Sequence, residues 1–234
     1  MELRRALEAA LREGLAKPAQ SKRRWDLLAD YCIARLEARG LRGLLGGSRG
    51  EVSVRGFPRE KNWDVVLLAP LLAGGGGSRI QHPGEKPRLL LSLKSLLRNP
   101  LGSLPNRLDD LLGEVSSVQM LYPEVVIGYA VVLDHGAFGK STGGKAAKAG
   151  GEEWEEGYNR FKDWLDDLTQ RRPPLWAQGL IEGHWVIEVG SRTPGLFLDL
   201  EATLEAGEAF FDALVGALRE REPLLFLNPG QKPL

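Results

Sequence analysis

Cysteine is nearly absent: Cys32 is the only one in 234 residues. One thiol excludes an intrachain disulfide and a cysteine-rich zinc site, and cytoplasmic residence is the natural expectation. Histidine is scarce as well. His82, His135 and His184 are scattered without zinc-ligand spacing, so none is assigned a role. No apolar run reaches the roughly 18 residues needed to span a bilayer. The opening "MELRRALEAALREGL" is charged and amphipathic rather than signal-like. Net charge is also missing, because 31 Lys+Arg balance 31 Asp+Glu. That removes the global basic bias of many nucleic-acid binders. It leaves room for a local basic cleft.

What is present reads as alternating helices and strands. Leu3, Leu7, Leu11 and Leu15 repeat at helical spacing until Pro18. A second helix is expected after Ser21, with Trp25, Leu28, Cys32, Ile33 and Leu36 on one face and Gly40 at its end. "EVSVRGF" alternates like a half-exposed strand. "NWDVVLLAP" and "RLLLSLKSLL" are apolar strands separated by a glycine-rich loop. The stripe Leu104, Leu108, Leu111, Leu112, Val115 and Val118 predicts a helix from about Ser103 to Gln119, with Pro105 in its first turn. "EVVIGYAVVLD" is the strongest strand. An acidic amphipathic helix from Glu152 to Leu168, strands at "HWVIEVG" and "GLFLDL", and a last helix at "EATLEAGEAFFDALVGALRE" complete the pattern. The economical architecture is one α/β domain over residues 1–234, a mixed sheet with helices on both sides.

Lys94 is the odd residue. It lies inside "LLLSLKSLLRN", where a charge is rarely buried without a partner. An edge-strand lysine guarding against aggregation is the plain explanation, but the flanking leucines argue for a central strand. Ser92 and Lys94 are two apart and share a strand face. Asp64 starts the preceding apolar strand. A carboxylate on one strand and a lysine on its neighbour suit metal-dependent phosphodiester hydrolysis. The acid holds a hard cation through oxygen, the cation activates water, and the lysine orients that water and balances phosphate charge.

"NWDVVL … LLLSLK" followed by a helix and a strand resembles the PD-(D/E)xK nuclease superfamily, in particular type II restriction endonucleases, from about Glu51 to Asp134. The resemblance implies a restriction-endonuclease-like mixed central β-sheet flanked by α-helices. In that picture, residues 1–45 are N-terminal helices, 51–135 the catalytic core and 136–234 C-terminal helices and strands. One departure is clear: the family's acid two before the lysine is replaced by Ser92, as in Ser-x-Lys members that draw the missing carboxylate from the next helix. "SLPNRLDDLLGE" offers Asp109, Asp110 and Glu114. The family's lysine-to-acid spacing favours Asp109 or Asp110, the residue type favours Glu114, and the sequence leaves the choice open. Glu51 or Glu60 is a further, upstream candidate.

The resemblance therefore implies an Mg²⁺-dependent endodeoxyribonuclease cutting specific double-stranded DNA, working as a homodimer or a pair of dimers. Asp64, Asp110, Glu114 and Glu60 are its candidate metal ligands. Lys94 would position water, and Ser92 would occupy the vacated acidic place. Arg98, Asn99, Arg107, Lys140 and Lys145 are candidate DNA contacts, although charges opposite an apolar stripe are usually a solvated face. "GKSTGGK" is no phosphate loop, because Asp134 stands where its first glycine must be. The alternatives are a repair or recombination nuclease of the same fold and a catalytically inactive module binding DNA or protein.

Overall fold

The structure, a computed structural model, describes residues 2–18, 21, 23–41, 45–46, 52–69, 81, 83–97, 100–134, 152–169, 171, 179–190 and 196–226. The side chains of 45–46, 100–104 and 152–155 also fall outside that description. Helix α1 spans Glu2–Ala16 and α2 spans Asp26–Leu36. Leu7 and Leu11 of the leucine stripe are buried, while Leu3 faces solvent. Two turns delay α2 beyond its expected start. Ser21 N–H donates to the Pro18 carbonyl at 3.0 Å, and Arg24 N–H donates to the Ser21 carbonyl at 3.1 Å. A π-helical turn, Glu37–Leu41, closes α2, and Gly40 supplies its left-handed residue at φ 105°.

"NWDVVLLAP" is two strands rather than one. Strands β2 (Val52–Val54) and β3 (Lys61–Trp63) pair antiparallel as a separate two-stranded sheet. Strands β1 (Leu45–Gly46), β4 (Val65–Ala69), β5 (Lys86–Leu96), β6 (Val126–Asp134) and β7 (Gly183–Val189) form the main sheet in the order β1-β4-β5-β6-β7. Asp64 is the one residue between β3 and β4. β1 with β4 and β4 with β5 are antiparallel, whereas β5, β6 and β7 run parallel. Helix α3 (Pro100–Gln119) connects β5 to β6. It begins three residues ahead of the expected Ser103, with Pro100 at a position that needs no intrahelical donor. Helix α4 (Glu152–Leu168) lies between β6 and β7 in sequence, and α5 (Leu200–Arg221) follows β7. The mixed sheet flanked by helices is the architecture expected from the sequence.

Both faces of the sheet are covered, which is why β5 and β6 read as nearly continuous apolar runs. Leu89, Leu91 and Leu93 of β5 pack with α1, α2 and α5. Leu90 and Leu96 pack with α3, α4 and the β2–β3 hairpin through Leu111, Val115, Phe161, Val54 and Trp63. Leu112 and Trp164, grouped with these apolar stripes by spacing, are exposed instead. α5 lies close against the sheet. A Cβ at Gly128 would fall 2.9 Å from the Phe210 ring, so only glycine fits there.

At the N-terminal ends of β6 and β7, Glu182 is buried between two arginines. Its Oε1 lies 3.3 Å from Arg171 Nη1 and 2.7 Å from Arg221 Nη2. Its Oε2 accepts the Ile127 N–H at 2.5 Å. Burial pushes this carboxyl upward, against the pull of Arg221, Arg171 and the Ile127 amide. The expected strand at "GLFLDL" does not form among its described residues. Phe197 makes one isolated bridge to Val189, and the Asp199 carboxylate then accepts the Ala202 N–H at 3.0 Å, starting α5. The capping geometry wins over strand propensity. Among the described residues, no helix is long and apolar enough to cross a membrane.

Candidate active site

Lys94 belongs to β5, the middle strand of five, and lies beside Val131 of β6. An edge-strand role is thereby excluded. Its even-numbered face carries Leu90, Ser92 and Leu96 toward α3, and this sets Ser92 and Lys94 together as the two-residue period requires. Lys94 Nζ lies 3.4 Å from Glu114 Oε1, with both side chains mostly buried. The charge that looked uncompensated in the sequence has its counterion on the next helix.

Asp64 meets the same strand at its backbone. Its N–H donates to the Leu91 carbonyl at 3.1 Å, and its Oδ2 accepts the Leu93 N–H at 2.7 Å. The carboxylate thus grips the β5 backbone at the Ser92–Leu93 peptide. Its charge also reaches α2: burial first, and the Asp64 carboxylate second, push the Cys32 thiol upward. Cys32 is a fully buried, inert core residue.

The helix acids separate clearly. Asp109 is exposed. Asp110 is exposed too and pairs with Arg107 one turn away at 3.5 Å, while Glu114 alone meets Lys94. Glu60 sits on the hairpin, where its Oε2 accepts the Ser53 hydroxyl at 2.9 Å. The structure therefore pairs Lys94 with Glu114 on the strand face that Ser92 shares, ties Asp64 to the neighbouring β5 backbone at Leu93, leaves Arg107 and Asp110 on the rim of α3, and holds Glu60 to its own hairpin. Arg98, Asn99, Lys140, Lys145 and Glu51 lie outside the described residues.

One residue of this face escaped the sequence reading. Tyr129 of β6 stands beside Ser92 in the parallel register. It is 1% exposed, and among the described residues its hydroxyl has no hydrogen-bond partner. Burial pushes its ionisation well above the usual tyrosine range. Arg107 opposes that shift, and Glu114 and Asp110 add to it. A lone phenol amid "VVIGYAVVL" was the available signal, but only strand register shows what it faces.

Among the described residues, no three His, Cys, Asp or Glu side chains gather closely enough to enclose a metal. Mg²⁺ does not require such an enclosure. It is commonly held by one or two carboxylates, with waters and substrate phosphate completing its octahedron. Glu114 beside Lys94, and Asp64 on the adjoining β5 backbone, are carboxylate oxygen donors of the kind a hydrated Mg²⁺ takes, and they do not make a closed protein cage.

A separate cleft of about 300 Å³ lies against β7 and the start of α5, lined in part by Lys162, His184, Glu188, Asp199 and Thr203. His184 shares a hydrogen bond with Thr169 Oγ1 at 2.8 Å, and its Nε2 lies 3.5 Å from Asp166. Burial lowers its pKa, with Asp166 resisting and Lys162 assisting. None of the residues derived from the sequence lines this cleft. No family model matches the chain, and no significant match exists among curated proteins or solved structures.

Proposed function

We propose that this protein is an Mg²⁺-dependent endodeoxyribonuclease of restriction type that hydrolyses double-stranded DNA as a homodimer. The observation that carries the reading is Lys94 on a central strand with the Glu114 carboxylate at 3.4 Å, on a strand whose backbone the Asp64 carboxylate holds at Leu93. When bound, Mg²⁺ would polarise the scissile phosphate and lower the pKa of a coordinated water. Asp64 and Glu114 would hold it through oxygen. Lys94 would exchange its carboxylate partner for the phosphate and orient the attacking water. The oxygen of an attacking water would bond to phosphorus as the ester P–O bond breaks, the water giving up one proton to solvent and the leaving oxygen taking one from solvent, so that water is added across the bond. Arg107, at the rim of the same helix face, would contact the DNA backbone.

The sequence-specific duplex substrate rests on the resemblance of the Asp64/Ser92–Lys94 order to restriction enzymes. The test is digestion of mixed-sequence duplex DNA by purified protein with Mg²⁺. Discrete fragments, lost in Lys94→Ala, are the expected result. Undiminished cutting by Lys94→Ala overturns the assignment.

One observation favours a second reading, a catalytically inactive module of the same architecture. Ser92 stands where an acid is expected, and the helix carboxylate is already neutralised by Lys94. Duplex binding without Mg²⁺ binding or cleavage would support that reading.

A further inference from the structure

Strand β6 turns Ile127, Tyr129, Val131 and Leu133 toward the α3 side of the sheet, and only Tyr129 brings a polar atom. Its ring is enclosed, and among the described residues its hydroxyl has no partner. Buried hydroxyls are normally hydrogen-bonded, so an orphan in a packed core calls for a cause. The register supplies one. Tyr129 stands beside Ser92 and Val131 beside Lys94, so the phenol lies next to the strand position that would carry an acid in related nucleases. A carboxylate at 92 would be a natural acceptor for a neighbouring phenol. With serine there, the donor is left for another carboxylate on the same face. The charge of Glu114 acts on the phenol, together with those of Arg107 and Asp110.

We propose that the Tyr129 hydroxyl is the donor that orients the Glu114 carboxylate once Lys94 leaves it for phosphate. The inference rests on the nuclease reading, in which Glu114 holds Mg²⁺. A carboxylate that binds a cation through one oxygen is set in place by hydrogen bonds to the other, and such outer partners tune metal affinity. Burial keeps the phenol protonated, so it serves as a donor throughout the working pH range. Tyr129 is then a positioning residue. It acts through Glu114 and makes no bond to substrate.

The experiment compares wild type, Tyr129→Phe and Glu114→Gln by Mg²⁺ titration calorimetry, metal-free thermal denaturation and Mg²⁺-dependent cleavage of duplex DNA. Tyr129→Phe keeps the ring and removes only the hydroxyl. The expected result is Mg²⁺ affinity weakened by about 10- to 100-fold, with an unchanged or raised Tm because an unpaired polar atom is gone. Glu114→Gln should weaken Mg²⁺ binding further. A Tyr129→Phe protein that binds Mg²⁺ like wild type, while Lys94-dependent cleavage persists, overturns this inference and leaves the nuclease reading intact. A wild-type protein that neither binds Mg²⁺ nor cuts DNA overturns both.

Discussion

Lys94 Nζ and Glu114 Oε1 stand 3.4 Å apart, one on the middle strand of the sheet and the other on the helix that follows it. Each is the counterion of the other in a setting where water covers less than a quarter of either side chain (24% and 17% exposed). This contact is what makes Lys94 tolerable in an apolar strand.

Removing one partner should cost more than removing both. Glu114→Gln is expected to destabilise by about 1–3 kcal/mol, since it leaves an ammonium with a weaker partner in a poorly hydrated place. The Lys94→Met/Glu114→Leu double variant should lie within about 1 kcal/mol of wild type, because apolar replacement of a buried ion pair is often near neutral. Urea denaturation of wild type, Lys94→Met, Glu114→Gln and the double variant measures this. A double variant as unstable as the sum of the singles would contradict it.

Glu182 is a structural carboxylate, and its loss should unfold far more than it inactivates. It joins Arg171 and Arg221, at 3.3 Å and 2.7 Å, to the start of β6 through Ile127. Glu182→Leu leaves two arginines without their shared anion and should cost about 3–5 kcal/mol. Chemical denaturation reads that loss directly. A cost below about 1 kcal/mol would show that the arginines find other acceptors.

His184 gives the fold a pH slope of definite sign. Its pKa is lowered from 6.5, by burial first, with Asp166 opposing. The folded state therefore holds a proton less tightly than the unfolded chain. The stabilisation is full above pH 6.5 and is lost as pH falls from there toward the depressed folded value. Denaturation midpoints measured from pH 8 to 5 should decline in wild type and decline less in His184→Gln, with the buffer ionic strength held constant. Parallel curves for the two proteins would remove His184 as the source.

The parts of this molecule that were legible in its sequence are those governed by local period. β5 and β6 announce themselves as continuous apolar runs because helices cover both faces, and Lys94 stands out against that background. Asp64 was legible as a residue at the head of a strand. Its place between two sheets was not, because β3 and β4 share a single apolar run although β3 pairs with β2 and β4 with β1 and β5. The choice of helix acid was hidden by geometry at the scale of one turn. Asp110 and Glu114 are offset by about 40° around the helix axis, and aspartate is one methylene shorter. That difference decides that Glu114 turns inward to Lys94 while Asp110 stays with Arg107 in solvent. Tyr129 was invisible because its meaning lies in a parallel register with Ser92, a relation between segments more than 30 residues apart. "GLFLDL" misled because its alternation is strand-like, whereas Asp199 commits the chain to a helix cap.

The hairpin and the main sheet share a single residue. Trp63 belongs to one ladder and Val65 to the other, so Asp64 has a fastened neighbour on each side and its own side chain tied to a third strand segment at Leu93. Its backbone is located from both sides and its carboxylate from a third, so the residue at the junction of the two sheets has little room to shift as a unit.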